Sequence, residues 1–119
     1  MDERIEKAFA VASYMATLAN QKRIILEEYN QKLIYYIDGA TFKITPDLIS
    51  FVSTMADRPF DLILVDSNNL PVKISNPKKF LADIIQLYSD ASQDYFEKYS
   101  DIKSKRKIAD IVELWAMVS

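Results

Sequence analysis

The sequence contains no cysteine and no histidine, and it has one glycine in 119 residues. Without cysteine there is no disulfide framework and no thiolate metal site, which fits a reducing compartment. Without histidine the commonest acid–base group and the commonest transition-metal ligand are both missing, and no Ser–His or Cys–His nucleophile can exist. A single glycine excludes the glycine-rich loops that cradle phosphate. Neither sign of charge dominates: 15 Lys and Arg against 17 Asp and Glu leave a net charge of −2. That balance argues against broad attraction to nucleic acid or to an acidic membrane. Long hydrophobic runs are also lacking. The apolar stretch Ala8–Ala19 is shorter than the about 20 residues a membrane span needs. The segment before it, Met1–Lys7, carries more acid than base, the reverse of a secretory signal. The chain is therefore expected to be soluble and intracellular, with no membrane partner.

What is present is a globular composition, 50% hydrophobic and 27% charged, which a disordered chain does not have. The length suits one domain over residues 1–119, small enough to gain from oligomerisation. The dominant stretch runs from Asn76 to Ser119. Asn76 followed by Pro77 reads as a helix start, a capping side chain and then proline at the first helical position. Leu81, Ile84, Tyr88, Ala91, Tyr95, Tyr99 and Ile102 follow at alternating threes and fours, the spacing of one helix face. Unbroken to the last residue, such a helix is roughly 60 Å long. A compact domain of this size is only about 35 Å across. The helix is therefore expected to break, to project with residues 103–119 as a tail, or to pack against another chain.

Upstream, residues 3 to about 29 read as a helix capped by Asp2, with Ile5, Ala8, Ala12, Met15, Leu18, Lys22, Ile25 and Tyr29 on one face. Phe9, Ala16 and Ala19 widen that stripe, and the alanines suit close approach of a neighbouring helix. A competing reading ends the helix near Asn20 and makes Arg23–Glu28 a strand. Leu33–Ile37 and Ala40–Ile44 flank Asp38-Gly39, the strongest short hairpin signal. A two-residue type I′ turn there sets Ile37 opposite Ala40, Tyr35 opposite Phe42 and Leu33 opposite Ile44, all on one face. Thr45-Pro46-Asp47 opens a short amphipathic helix carrying Leu48, Ile49, Val52, Met55 and Ala56, ending before Pro59. Leu62–Val65 and Val72–Ile74 read as a second hairpin across Asp66-Ser67-Asn68-Asn69. Pro71 confines its second strand to an edge or a first position. The expected class is α+β in the order α-ββ-α-ββ-α, with a small antiparallel sheet. Phe42-Lys43-Ile44-Thr45-Pro46 echoes Val72-Lys73-Ile74-Ser75-Asn76-Pro77. A duplicated ββα unit forming a four-stranded sheet explains the echo, and so does the shared chemistry of any strand-to-helix junction.

Catalytic and metal chemistry finds little material. Asp66-Ser67-Asn68 resembles the opening of a calcium loop, but Pro71 stands where that loop needs glycine and Pro77 where it needs the closing glutamate. Pro46-Asp47 lacks the acid-x-Lys strand a nuclease core requires, because Lys43 and Lys73 are preceded two residues earlier by Thr41 and Pro71. Glu27, Glu28, Asp57, Asp61 and Asp66 have no spacing that asks for magnesium, so they read as solvated surface acids. No catalytic residue, cofactor or metal ligand is expected.

The one concentrated basic patch is Lys103, Lys105, Arg106 and Lys107, a candidate for phosphate contact. Asp101, Asp110 and Glu97 lie near it, and no aromatic is interleaved to stack on bases, which favours a solvated helix face. Tyr88, Tyr95, Tyr99 and Trp115 at helical spacing read as packing residues rather than a ligand box. Beyond Ile102 the stripe changes phase: Ile108, Ile111, Val112, Leu114, Trp115, Met117 and Val118 make a broad apolar end. A polar neck followed by such an end either folds back on the first helix or docks on a partner. The residues expected at a partner interface are Tyr95, Tyr99, Ile102, Ile108, Ile111 and Trp115.

From Tyr35 to about Ile108 the chain resembles short proteins encoded by T-even-like tailed phages of marine bacteria. The residues carrying the resemblance are Tyr36-Ile37-Asp38-Gly39, Phe42-Lys43-Ile44-Thr45-Pro46, Leu62–Asn69 and Tyr95–Lys107. It covers about two-thirds of the chain and brings no catalytic or binding residue with it. Some small proteins of that kind serve in capsid or tail assembly. The resemblance therefore implies a non-catalytic viral structural or assembly component, located in the virion or the host cytoplasm. The length and apolar end of Asn76–Ser119 make another protein, or further copies of itself, the expected partner. The alternative is a small nucleic-acid-associated or regulatory protein using Lys103–Lys107.

Overall fold

In a computed structural model of the chain the backbone is described for residues 2–118 and the side chains for residues 2–105. The elements are helix α1 (Glu3–Lys32), strands β1 (Ile34–Ile37) and β2 (Ala40–Lys43), helix α2 (Pro46–Met55), strands β3 (Leu62–Val65) and β4 (Pro71–Ile74), and helix α3 (Pro77–Val118). The fold is α+β in the order α-ββ-α-ββ-α. Internal contacts divide it into two compact units: a helical unit of Met1–Glu28 with Asp94–Ser119, and an α+β unit of Tyr29–Gln93.

The α+β unit follows its local chemistry closely. Asp38 and Gly39 take φ of 50° and 77°, the paired positive values of a type I′ turn. The turn sets the register, with Ile37 opposite Ala40 and Tyr35 opposite Phe42. The ladder continues past the strands through the Ile44 N–H, which donates to the Leu33 carbonyl at 2.7 Å. Leu33, Ala40, Phe42 and Ile44 are buried on one face, while Tyr36 and Lys43 on the other are exposed. The α2 start is built as the sequence implies: the Thr45 hydroxyl accepts the Leu48 N–H at 3.1 Å, and Pro46 occupies the first helical position. Asn76 does the same for α3, its side-chain oxygen accepting the Lys79 N–H at 3.2 Å.

The second hairpin pairs Leu62 with Ile74 and Val65 with Pro71, so the proline stands at the first residue of β4. The four-stranded sheet that a duplicated unit implies is not formed. β1–β2 and β3–β4 are separate two-stranded sheets. They meet where the Ser67 N–H donates to the Thr41 carbonyl at 2.8 Å. Phe80, Ile44, Leu62, Ile84 and Val52 are the largest fully buried side chains and form the centre of the core. Burying each contributes about 1.5–3 kcal/mol relative to exposure. Around Phe80 the rings of Tyr35 and Phe42 stand edge-on, with centroids 5.7 and 5.8 Å away.

In the helical unit, α1 is helical through Arg23–Glu28, which excludes the strand reading there. Asp2 opens it, its carboxylate accepting the Arg4 N–H at 3.1 Å. α3 is one helix of 42 residues, about 63 Å at 1.5 Å per residue, so the break allowed for in the sequence is absent. Leu18 of α1 and Ile102 of α3 are buried. The Lys98 ammonium reaches Glu28 at 3.1 Å, and the Lys22 ammonium lies 4.9 Å over the Tyr99 ring. Partners on α1 fall in number as those on α3 rise, so the two helices run antiparallel.

Candidate interaction surface

Carboxylates are the chemistry the sequence has most of, and the fold disperses them. Glu27 pairs with Arg23 at 2.7 Å, Glu28 with Lys98 at 3.1 Å, Asp57 with Lys78 at 3.5 Å and Asp61 with Lys73 at 3.4 Å. These pairs are solvent-exposed and contribute little to stability. Lys98 also meets Asp94 at 3.1 Å. The hydrogen bond to Glu28, followed by that to Asp94, raises its pKa above the ordinary lysine value. Among the described residues, no three His, Cys, Asp or Glu form a group able to hold a metal ion.

Asp66 is the exception to surface exposure. It is 5% exposed, and its two oxygens close the β3–β4 connection. Oδ1 accepts the N–H groups of Asn68 at 2.9 Å and Leu70 at 2.8 Å, while Oδ2 accepts the Thr41 N–H at 3.1 Å. Hydrogen bonds from Leu70 and then Thr41 hold the carboxyl below its usual range, with Asn68 adding to them against the effect of burial. The residue that opens the calcium-like motif is thus the anchor of an Asx turn, tied to the neighbouring hairpin. Asn69 completes the turn at φ 61°, a left-handed conformation that asparagine tolerates.

A cleft of about 230 Å³ in the α+β unit is lined by Tyr35, Ile37, Asp38, Ile74, Ser75, Asn76, Lys79, Phe80 and Asp83. In it the Tyr35 hydroxyl donates to Asp83 Oδ2 at 3.2 Å. Burial, then that bond, raises the Tyr35 pKa. Elsewhere in this unit a hydroxyl cluster joins Tyr29, Tyr88 and Ser92, and the hydrogen bond to Tyr29 raises the Tyr88 pKa.

The residues expected to meet a partner divide into three groups. Ile102 is buried inside the helical unit, where it packs rather than presenting itself. Tyr95 is half-buried and Tyr99 is 37% exposed, their rings stacked with centroids 6.1 Å apart. Ile108, Ile111 and Trp115 lie on α3, and their side chains fall outside the described residues, as do those of Arg106 and Lys107. Of the basic segment, Lys103 is exposed and Lys105 is paired with Asp101 at 3.2 Å.

Exposed apolar side chains are plentiful where the sequence reading expected burial. Ile5, Ala8, Ala12, Phe9, Ala16 and Ala19 were expected on the buried face of α1 and are all exposed, Phe9 by 62%. The buried and half-buried residues of α1 within the helical unit are Val11, Met15, Leu18, Gln21, Lys22 and Ile25. Tyr14 on α1 and Phe96 on α3, 71% exposed, add to the uncovered surface. On β3, Ile63 and Val65 are exposed while Leu62 and Leu64 point inward. Comparison with known proteins finds no matching family model, no matching curated protein and no matching solved structure. The arrangement leaves many apolar side chains of the paired helices uncovered. Among the described residues no helix is long and apolar enough to cross a membrane.

Proposed function

We propose that this is a non-catalytic interaction protein that associates with protein, further copies of itself included, through its helical unit. The observation that carries this reading is the balance of that unit. Its described side chains bury only Leu18 and Ile102, while Ile5, Phe9, Tyr14, Ile24, Leu26, Phe96 and Tyr99 remain exposed. A helix pair that covers so little of its own apolar surface gains stability from a partner that covers the rest. The apolar residues Ile108, Ile111 and Trp115 extend the same helix, which supports the docking role expected of its end. The absence of histidine and cysteine, with carboxylates separately paired, supports a role other than catalysis. The resemblance to short proteins of tailed phages supports capsid or tail assembly as the process in which such a component acts.

Nucleic acid is the alternative ligand, through Lys103, Lys105, Arg106 and Lys107. Asp101 beside Lys105 weighs against it, because it cancels part of the charge that would meet phosphate.

The test is light scattering coupled to size exclusion. The full chain is expected to run above its monomer mass of 13.7 kDa, or to do so when mixed with its partner. Removal of residues 108–119 is expected to abolish association and leave the circular dichroism of the α+β unit in place. A shortened chain that associates as before refutes the role of the α3 end.

A further inference from the structure

We infer that the outer edge of β1 takes up an extended segment of another protein as a further antiparallel strand, a basic side chain of that segment entering the cleft between β1 and the start of α3. The inference concerns the α+β unit and stands apart from association through the helical unit.

The edge selects a strand as the ligand. Tyr35 pairs with Phe42 and Ile37 with Ala40, and the Ile44 N–H donates to the Leu33 carbonyl. Alternation then turns the N–H and C=O of Ile34 and Tyr36 away from β2. The outward groups of Thr41 on β2 are taken: its N–H donates to Asp66 Oδ2 and its C=O accepts the Ser67 N–H. The outer edge of β4 carries Pro71, which has no N–H, and Lys73, both ordinary guards of an exposed edge. β1 has neither guard. Among the described residues nothing bonds the outward groups of Ile34 and Tyr36, and Tyr36 is 72% exposed. Donors and acceptors alternating in this way are complementary to another extended backbone.

The cleft selects what that strand carries. The first turns of α3 pack against the inner face of β1, where the Tyr35 ring meets Phe80 edge-on and the Tyr35 hydroxyl donates to Asp83. The cleft of about 230 Å³ between them holds Asp38, Asp83 and Lys79. None of the three is in an ion pair among the described residues, unlike Glu27, Glu28, Asp57 and Asp61. Burial, then the bond to Asp83, then the charges of Asp83 and Asp38 raise the Tyr35 pKa, so both carboxylates bear on one hydroxyl. Two negative charges against one positive leave the cleft acidic. In an antiparallel pair the residues that bond to Ile34 and Tyr36 turn their side chains to the outer face. The residues between them turn theirs into the cleft. An arginine there lays its stem along Ile37 and Phe80 and offers its guanidinium to the carboxylates. A second copy of β1 would set Leu33, Tyr35 and Ile37 in that place and leave both carboxylates unpaired, so the charge favours a different protein.

The test titrates the acetylated, amidated peptide Val-Arg-Val-Arg-Val into the full chain, up to about 2 mM, and follows the amide resonances. Shifts are expected at Ile34 and Tyr36, with slower hydrogen exchange of those two amides. Asp38→Asn keeps a residue that tolerates the left-handed turn, and Asp83→Asn keeps an acceptor for the Tyr35 hydroxyl. Each is expected to weaken binding by up to about fivefold, and Lys79→Ala to tighten it. N-methylation of the valines, whose N–H groups face β1, is expected to abolish binding, while N-methylation of the arginines spares it. The inference is overturned if Ile34 and Tyr36 do not shift over that range, or if Ile63 and Val65 shift in their place. Equal binding of the two methylated peptides, or binding in the reverse order, overturns it too, as does citrulline replacing arginine without loss. Shifts at Ile34 and Tyr36 that grow with protein concentration in the absence of peptide would assign the edge to a second copy and overturn the partner named here.

Discussion

Replacing Phe80 with alanine tests the centre of the α+β unit. Phe80 is 2% exposed, and its ring meets Tyr35 and Phe42 edge-on. An aromatic side chain buries about 150–250 Å², which at about 25 cal/mol per Å² gives about 4–6 kcal/mol. Alanine retains part of this, so the expected loss is about 3–5 kcal/mol, the range seen for buried phenylalanine truncations. If the 119 residues unfold as one transition, 4 kcal/mol lowers Tm by about 16 °C. Urea unfolding followed by circular dichroism at constant m-value reads the loss directly. A double-mutant cycle separates ring geometry from simple burial: Phe42→Leu and Phe80→Leu are expected to couple by about 0.5–1.5 kcal/mol. A loss below about 1.5 kcal/mol for Phe80→Ala, or a cycle that is additive, refutes the account of the core.

The turn and cap predictions are local. Gly39→Ala meets no atom within 4 Å, so its whole cost is the strain of φ +77°, about 1–2 kcal/mol, and Gly39→Asn is expected to cost less; thermal melts compare the two. Thr45→Ala removes the acceptor for the Leu48 N–H and is expected to cost about 1 kcal/mol, with Thr45→Ser close to wild type in the same denaturant assay. For Asp66 the folded carboxyl titrates below its ordinary value, so the unfolded state binds more protons between the two values. Its contribution is present above pH about 4 and lost as pH falls through the folded value. Acid titration of stability is therefore expected to be shallower in Asp66→Asn than in wild type, and equal slopes would count against the clamp.

Much of the α+β unit is legible in the sequence because its signals are local. Asp38-Gly39 fixes a turn type, and the turn type fixes the register and buried face of β1 and β2. Thr45-Pro46 and Asn76-Pro77 mark helix starts through side chains that cap them. The helical unit is legible in kind but not in burial. Periodicity tells which residues share a face of α1, yet Ile5, Phe9, Ala12 and Ala16 fit a stripe as well as Met15 and Leu18 do. Which stripe meets α3 depends on the rotation of one helix against another, and no spacing within a single helix encodes that. The bond from Asp66 to Thr41 is invisible for a related reason. The Asx turn is readable from Asp66-Ser67-Asn68, but the third amide is 25 residues away. Exposure of Ile63 and Val65 does follow from strand alternation once Leu62 and Leu64 are placed inside.

One carboxylate that shapes its own turn and also grips a strand of the other hairpin makes two folding events interdependent. Asn68 and Leu70 are held only if Asp66 is in place, and Asp66 is kept in place partly by Thr41. Loosening the first hairpin therefore frees the tip of the second. The amide protons of Thr41, Asn68 and Leu70 are expected to trade with deuterium as a synchronous trio, each reporting the same opening although the chain separates them widely.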